Sequence, residues 1–130
     1  MLDGYLLGSY SARKLGLAST GNAGGVHNLI VHPSPGAPSQ ADLLRRMGRG
    51  LLVTELMGQG VNGVTGDYSR GATGFWIEDG APAFPVQEIT IAGNLKDLYL
   101  GLVAIGGDID ARGGIRTGSV WVDGMTIAGE

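Results

Sequence analysis

Short apolar runs separated by glycine organise this chain, in place of long periodic stretches. Leu51 to Leu56 is one such run. Thr73 to Asp79 is another, carrying Phe75, Trp76 and Ile77. It closes on Asp79-Gly80, a dipeptide that enters positive φ readily and so favours a tight hairpin turn. Ala83 to Ile91 resumes the apolar pattern. Ser119 to Asp123 and Met125 to Ile127 flank a second Asp-Gly pair, Asp123-Gly124, and Val26 to Val31 gives a weaker signal. Runs of this length bounded by turn residues predict strands. Thr90-Ile91-Ala92-Gly93 recurs as Thr126-Ile127-Ala128-Gly129. The echo is too short to define a repeat, and both copies read as strand ends that meet a glycine turn.

Two segments predict helices. Ser39 is placed to cap the amide of Asp42, and Asp42 to return the bond, an acidic capping box. Leu43, Leu44 and Met47 follow, with Gly48 or Gly50 as the stop. The second helix starts at Asn94, a good N-cap. Leu95, Leu98, Leu102 and Ile105 sit at helical spacing, and Gly106-Gly107 ends the pattern. The apolar stripes of both helices read as core packing. Between the strand signal at 26–31 and the first helix, His32 to Pro38 holds three of the five prolines and predicts an extended, exposed loop.

Composition changes this picture in three ways. Glycine accounts for 25 of 130 residues, against an ordinary usage of about 7%. With 43% apolar residues, the excess fits turns, bulges and close backbone approaches in a folded β-rich domain better than disorder. The net charge of −3 with 16% charged residues offers no basic excess for phosphates, so no direct nucleic-acid partner is expected. The absence of cysteine removes disulfides, thiolate metal sites and a cysteine nucleophile from this chain. Met1-Leu2-Asp3-Gly4 has no basic n-region and no long apolar run follows. Neither a leader nor a membrane span is expected, and the expected location is cytoplasmic. The pattern as a whole predicts an α+β fold: a β-rich, mostly antiparallel twisted sheet or partly open barrel with about two helices, in one domain spanning residues 1–130.

Candidate chemistry is sparse. His27 and His32 are five residues apart, a spacing that chelates on neither a helix nor a strand, so no metal site is expected in this chain. No Gly-x-Ser-x-Gly nucleophile turn occurs. Glu78-Asp79 and Asp108-Ile109-Asp110 pair carboxylates beside glycines, where acidic residues ordinarily serve turn geometry. Gly21-Asn22-Ala23-Gly24-Gly25 lacks a lysine. Gly58-Gln59-Gly60-Val61-Asn62-Gly63 fits Gly-x-Gly-x-x-Gly, but no helical period follows it, and the dinucleotide fingerprint needs one.

Thr54 to Gly80 is the most informative stretch, with glycines at 58, 60, 63, 66, 71, 74 and 80. Glu55, Gln59, Asn62, Asp67, Tyr68, Ser69 and Arg70 lie among them as candidate substrate or partner contacts. A run this dense in glycine brings backbone amides and carbonyls close to a ligand, and an extended peptide pairing with a strand edge is one such ligand. The alternative is a wide hairpin whose turn is fixed by an Asp67–Arg70 ion pair.

The segment GLLVTELMGQGVNGVTGDYSRGATGFWIEDG, then FPVQEITIAGNLKD, with YLLGSYSARKLGLASTGNAGGVHN upstream and GSVWVDGMTIAG at the end, resembles the C-terminal portion of the TldE type within the PmbA/TldD family. The resemblance covers essentially the whole chain, least of all the proline-rich loop. It implies a cytoplasmic peptidase complex that degrades or trims unfolded peptides. It also implies zinc held by a TldD-like catalytic subunit, through a His-Glu-x-x-x-His helix upstream of the region this chain covers and a cysteine in the C-terminal part. Thr117 stands where related sequences can show that cysteine. No catalytic or metal residue, and no cofactor, is therefore expected here. The family's N-terminal and middle regions have no counterpart in the chain, which is expected to be part of a longer protein. Loss of the remaining lobe should leave apolar surface or strand edges open, so the isolated chain is expected to self-associate. A small-ligand or nucleotide module using Gly58 to Gly63, and a purely structural or assembly domain, are the alternatives.

Overall fold

The computed structural model describes residues 4–23 and 25–129. The start of the chain, on which the absence of a leader was expected, and Gly24 of the segment 21–25 lie outside the described residues.

In chain order the elements are α1 (Ser9–Leu15), β1 (Leu29–Ile30), α2 (Gln40–Met47), β2 (Gly50–Met57), β3 (Asp67–Glu78), β4 (Ala81–Asn94), α3 (Leu95–Leu100), β5 (Leu102–Ile105), β6 (Ile115–Arg116), β7 (Val120–Val122) and β8 (Thr126–Ala128). They fall into two compact units. The first comprises residues 1–32 and 110–116, the second residues 33–109 and 117–130. Unit 1 contains α1 and a short parallel pairing of β1 with β6. Unit 2 contains an antiparallel sheet of order β2-β3-β4-β8 and a separate β5-β7 pair. The α+β, mostly antiparallel expectation holds, and the four-stranded sheet is open.

Local chemistry explains most of unit 2. The amide of Asp42 donates to Ser39 Oγ at 3.2 Å, and the amide of Ser39 donates to Asp42 Oδ2 at 3.1 Å. This is the capping box that starts α2. Arg45 and Arg46 occupy its last turn, where they complement the helix dipole. The amide of Gly48 closes the helix on the carbonyl of Leu44. The β3–β4 hairpin turns at Asp79 (φ 50°) and Gly80 (φ 75°), and two successive positive φ values are what a right-twisted two-residue turn requires. The echoed tetrapeptides prove to be partners: Thr90 pairs with Ala128, Ile91 with Ile127 and Ala92 with Thr126.

Three expectations need correction. A helix was expected through Leu102 and Ile105, but α3 ends at Leu100. The amide of Gly101 folds back to the carbonyl of Asp97, and Leu102–Ile105 pairs with β7 instead. Leucine at spacing four satisfied the helical period, but the strand pairing won. Helix α1 went unpredicted, since only Ala12 of its seven residues is buried and the apolar stripe is too thin to register. The strand expected from Thr73 begins earlier, since β3 runs from Asp67 to Glu78 through the glycine-dense segment.

β3 is regular, but both its neighbours are bulged. Gly74 pairs with Val53 and Thr73 with Glu55, so Thr54 is an extra residue in β2. Ala72 pairs with Ile89 and Gly74 with Val86, so Gln87 and Glu88 together face Thr73 from β4. Glu88 takes φ 55° there. Bulges of this kind raise the local twist. Ala72, Ile89 and Ile91 form a buried cluster that Leu51, Val53, Tyr68, Val86 and Met125 pack against. No helix among the described residues is long and apolar enough to cross a membrane.

The β2–β3 approach leaves no room for a side chain at Gly74, where a Cβ would stand 1.9 Å from the carbonyl oxygen of Leu52. Gly74→Ala is expected to cost about 2 kcal/mol, as overpacking of a rigid site does. Urea unfolding measures this, and an unchanged midpoint contradicts the account.

Candidate functional site

Paired residues in an antiparallel ladder share a face, and successive residues alternate. Parity along β3 therefore divides the candidate residues. Tyr68 and Arg70 share the covered face with Ala72 and with Ile89 and Ile91 across the ladder. Asp67 and Ser69 lie on the opposite, exposed face, and Glu55 joins them there through its pairing with Thr73. Asp67 and Arg70 are thus on opposite sides of the strand. The ion pair weighed between them does not form, and the ion pairs among the described residues are Asp42–Arg45 and Asp110–Arg112.

Gln59 and Asn62 lie in the β2–β3 connection. Asn62 Oδ1 accepts from the amides of Val64 (2.9 Å) and Thr65 (3.2 Å), and its amide donates to the carbonyl of Asp67. The side chain of Asn62 is occupied in building the turn. Asp67 Oδ2 accepts from the Thr65 hydroxyl at 2.6 Å, so it too serves the connection. The loop seals onto β3 at Gly60, whose carbonyl accepts from the amide of Ser69 at 2.7 Å. A Cβ at Gly60 would lie 1.6 Å from the carbonyl oxygen of Ser69. The Gly58–Gly63 segment therefore leads from one strand into another, without the following helix N-terminus that cradles a dinucleotide phosphate. Glu55, Gln59 and Ser69 remain exposed.

On the covered face, a cavity of about 380 Å³ opens between α2, β2, β7 and the sheet. Leu43, Met47, Leu56, Tyr68, Ile91 and Trp121 are among its walls. Arg46 lies over the Trp121 ring at 6.0 Å and Arg49 over Trp76 at 5.6 Å, distances at which a guanidinium is attracted to the ring face. At the cavity, Gln40 Nε2 donates to Ser119 Oγ (3.0 Å), and Ser119 Oγ donates to Asp108 Oδ2 (2.6 Å). The amide of Ser119 adds a bond to Asp108 Oδ1 at 3.2 Å. Burial works against ionisation of Asp108, but the Ser119 hydroxyl and amide and its own amide outweigh it and hold the carboxyl below the usual carboxylate range. Asp110 belongs to the other unit. There Arg112 holds its carboxyl down to about 2. The two carboxylates of Asp108-Ile109-Asp110 thus have separate structural partners. Glu78 accepts from Trp76 Nε1 at 3.3 Å, and Asp79 makes the hairpin turn.

The cavity and the Gln40–Ser119–Asp108 chain were not visible in the sequence, because their members are 79 and 11 residues apart. His27 and His32 are both exposed. Among the described residues, no three of His, Cys, Asp and Glu converge.

The model of the PmbA/TldA metallopeptidase C-terminal domain matches residues 1–129. Metalloprotease PmbA of Escherichia coli O157:H7 is 56% identical over 130 residues, which is 100% of this chain and 28% of that protein. The Metalloprotease PmbA homolog of Haemophilus influenzae is 56% identical over 129 residues, again 28% of its length. The chain thus spans little more than a quarter of these relatives. A crystal structure from Thermotoga maritima, named as a modulator of a DNA gyrase, superimposes with a TM-score of 0.84 at 37% identity. That match covers 98% of this chain and 31% of the other.

The Asp108 arrangement predicts a pH dependence. Its folded pKa is depressed, so its stabilisation is present above the unfolded carboxylate value of about 4 and is lost as pH falls through the folded value. Wild type is expected to lose stability more steeply than Asp108→Asn between about pH 5 and 2. Urea midpoints followed by tryptophan fluorescence test this, and identical pH slopes contradict it.

Proposed function

The chain belongs to the PmbA/TldD metallopeptidase family, and we propose that it is the C-terminal part of a non-catalytic, TldE-type subunit that walls a chamber for unfolded peptides. In this reading zinc resides in a TldD-like partner, and the complex works in the cytoplasm. One observation carries the reading. β2 is an eight-residue edge strand whose outer side has no strand partner among the described residues. An open edge of this kind pairs with extended backbone regardless of side-chain sequence, which suits a peptidase acting on many unfolded chains. Glu55, Gln59 and Ser69 stand exposed on or beside it.

Zinc chemistry fits poorly with this chain's own donors. The two histidines are exposed on either side of β1, and no third donor joins them among the described residues. No metal-dependent step is assigned to these residues. Stoichiometric, tightly bound zinc in the purified chain, measured by atomic emission, overturns that division of labour.

Substitution in the full-length protein tests the wall itself. Tyr68→Ala and Arg70→Ala are expected to lower peptide cleavage by the assembled complex at least several-fold or to weaken capture of the partner. Unchanged assembly together with unchanged cleavage removes the role given to both residues.

The same open surfaces bear on the isolated chain. Phe84, Tyr99, Leu100 and Ile127 are 50%, 78%, 77% and 43% exposed, and β8 forms the other sheet edge. The isolated chain is expected to self-associate with rising concentration. Light scattering that shows a monomer at every concentration contradicts this.

A further inference from the structure

Arg70 is the one polar side chain in the described structure whose buried atom has no partner: its Nε is shielded from solvent and unbonded. The nearest support is weak, since Nη2 reaches the carbonyl of Leu56 only at 3.5 Å. Neither ion pair of the described residues includes it. A guanidinium cannot relieve its burial by losing a proton. The half-buried guanidinium carries no ion pair, and a carboxylate matches its planar fork with two parallel bonds.

The surroundings narrow the choice of anion. Arg70 does not itself line the 380 Å³ cavity, but its neighbours do. Tyr68 stands two residues away on the same strand face, Ile91 is its register partner across the ladder, and Leu56 supplies the carbonyl it approaches. Arg70 therefore adjoins residues that line an apolar chamber. The side chains of aspartate and glutamate bring a carboxylate without an apolar group beside it. The last residue of a peptide carries both on one Cα: a carboxylate and, one bond away, its side chain.

From this juxtaposition we infer that Arg70 and the adjoining cavity form a recognition site for the C-terminus of a peptide ending in a bulky apolar residue. Arg70 holds the terminal carboxylate. The cavity between Leu43, Met47, Tyr68 and Trp121 takes the last side chain. The site deepens the peptide-chamber reading and rests on it. It adds a polarity, because an extended peptide anchored by its C-terminus runs in one direction only along the adjacent sheet.

The test uses a fluorescein-labelled, unstructured hexapeptide ending in leucine, prepared as the free acid and as the C-terminal amide. Anisotropy titration of the wild-type chain is expected to show the acid binding about tenfold more tightly than the amide, the scale of one charge-assisted hydrogen-bonded pair. A terminal glycine in place of leucine should also weaken binding. Arg70→Gln should abolish the acid–amide difference, and Arg70→Lys, which keeps the charge without the fork, should restore it only in part. The wild-type comparison needs no variant, so a misfolded Arg70→Gln does not spoil it. Equal binding of acid and amide overturns the carboxylate assignment while leaving peptide binding in place. Absence of binding by both overturns the peptide-chamber reading together with it. If Arg70→Gln abolishes self-association while acid and amide bind alike, the carboxylate comes from a second copy of the chain, and the inference fails.

Discussion

β3 is hydrogen-bonded along both edges, and the rest of unit 2 depends on that double pairing. Its neighbours approach so closely that glycine is required at Gly74, against the carbonyl of Leu52. β2 accommodates the pairing with a bulge at Thr54 and β4 with one at Gln87-Glu88, both opposite Thr73, and β4 has a second at Ala83. The bulges absorb the mismatch so that β3 runs unbroken from Asp67 to Glu78. The alternation along it sends Tyr68 and Arg70 to the covered face and Asp67 and Ser69 to the open one. It also leaves β2 at the edge with an unpaired outer side, and sets Tyr68 and Ile91 beneath α2 as cavity walls.

Much of this fold was legible where the physics is local. Ser39 and Asp42 announced α2 because a capping box is built from residues three apart. Asp79-Gly80 announced the hairpin because few other pairs accept two positive φ values in succession. The family resemblance was legible across the whole length. The extent of β3 was not, since glycine carries no hydropathy signal and a strand containing Gly71 and Gly74 looks like a loop. The helix expected to run to Ile105 failed for a different reason. Leu98 and Leu102 have helical spacing, and only the distant partner Val122 reveals that the second belongs to a strand.

The candidate site was legible as a list but not as an arrangement. Asn62 and Asp67 were visible as polar residues among glycines, but their side chains are spent on the loop, which sequence position cannot show. Tyr68 and Arg70 are adjacent to Asp67 and Ser69 in sequence and face the opposite way in space. The partition follows from the alternation along β3, and which face is covered follows from the long-range pairing of Arg70 and Ala72 with Ile91 and Ile89, which no local pattern marks. The cavity beside Arg70 needed side chains from α2, β2, β4 and β7 to close around it, and no motif spans them.

These features combine into one picture of unit 2. The open edge of β2 is the surface we propose for an extended backbone, and Arg70, next to residues that line the apolar chamber, is the group we propose to select how that backbone ends. Hydrogen–deuterium exchange of the chain, with and without a saturating unstructured peptide, tests the picture most directly. The account predicts slowed exchange at the outward amides of Leu51 to Met57. Protection confined to unit 1, or to the Gly58–Gly63 loop, would contradict it.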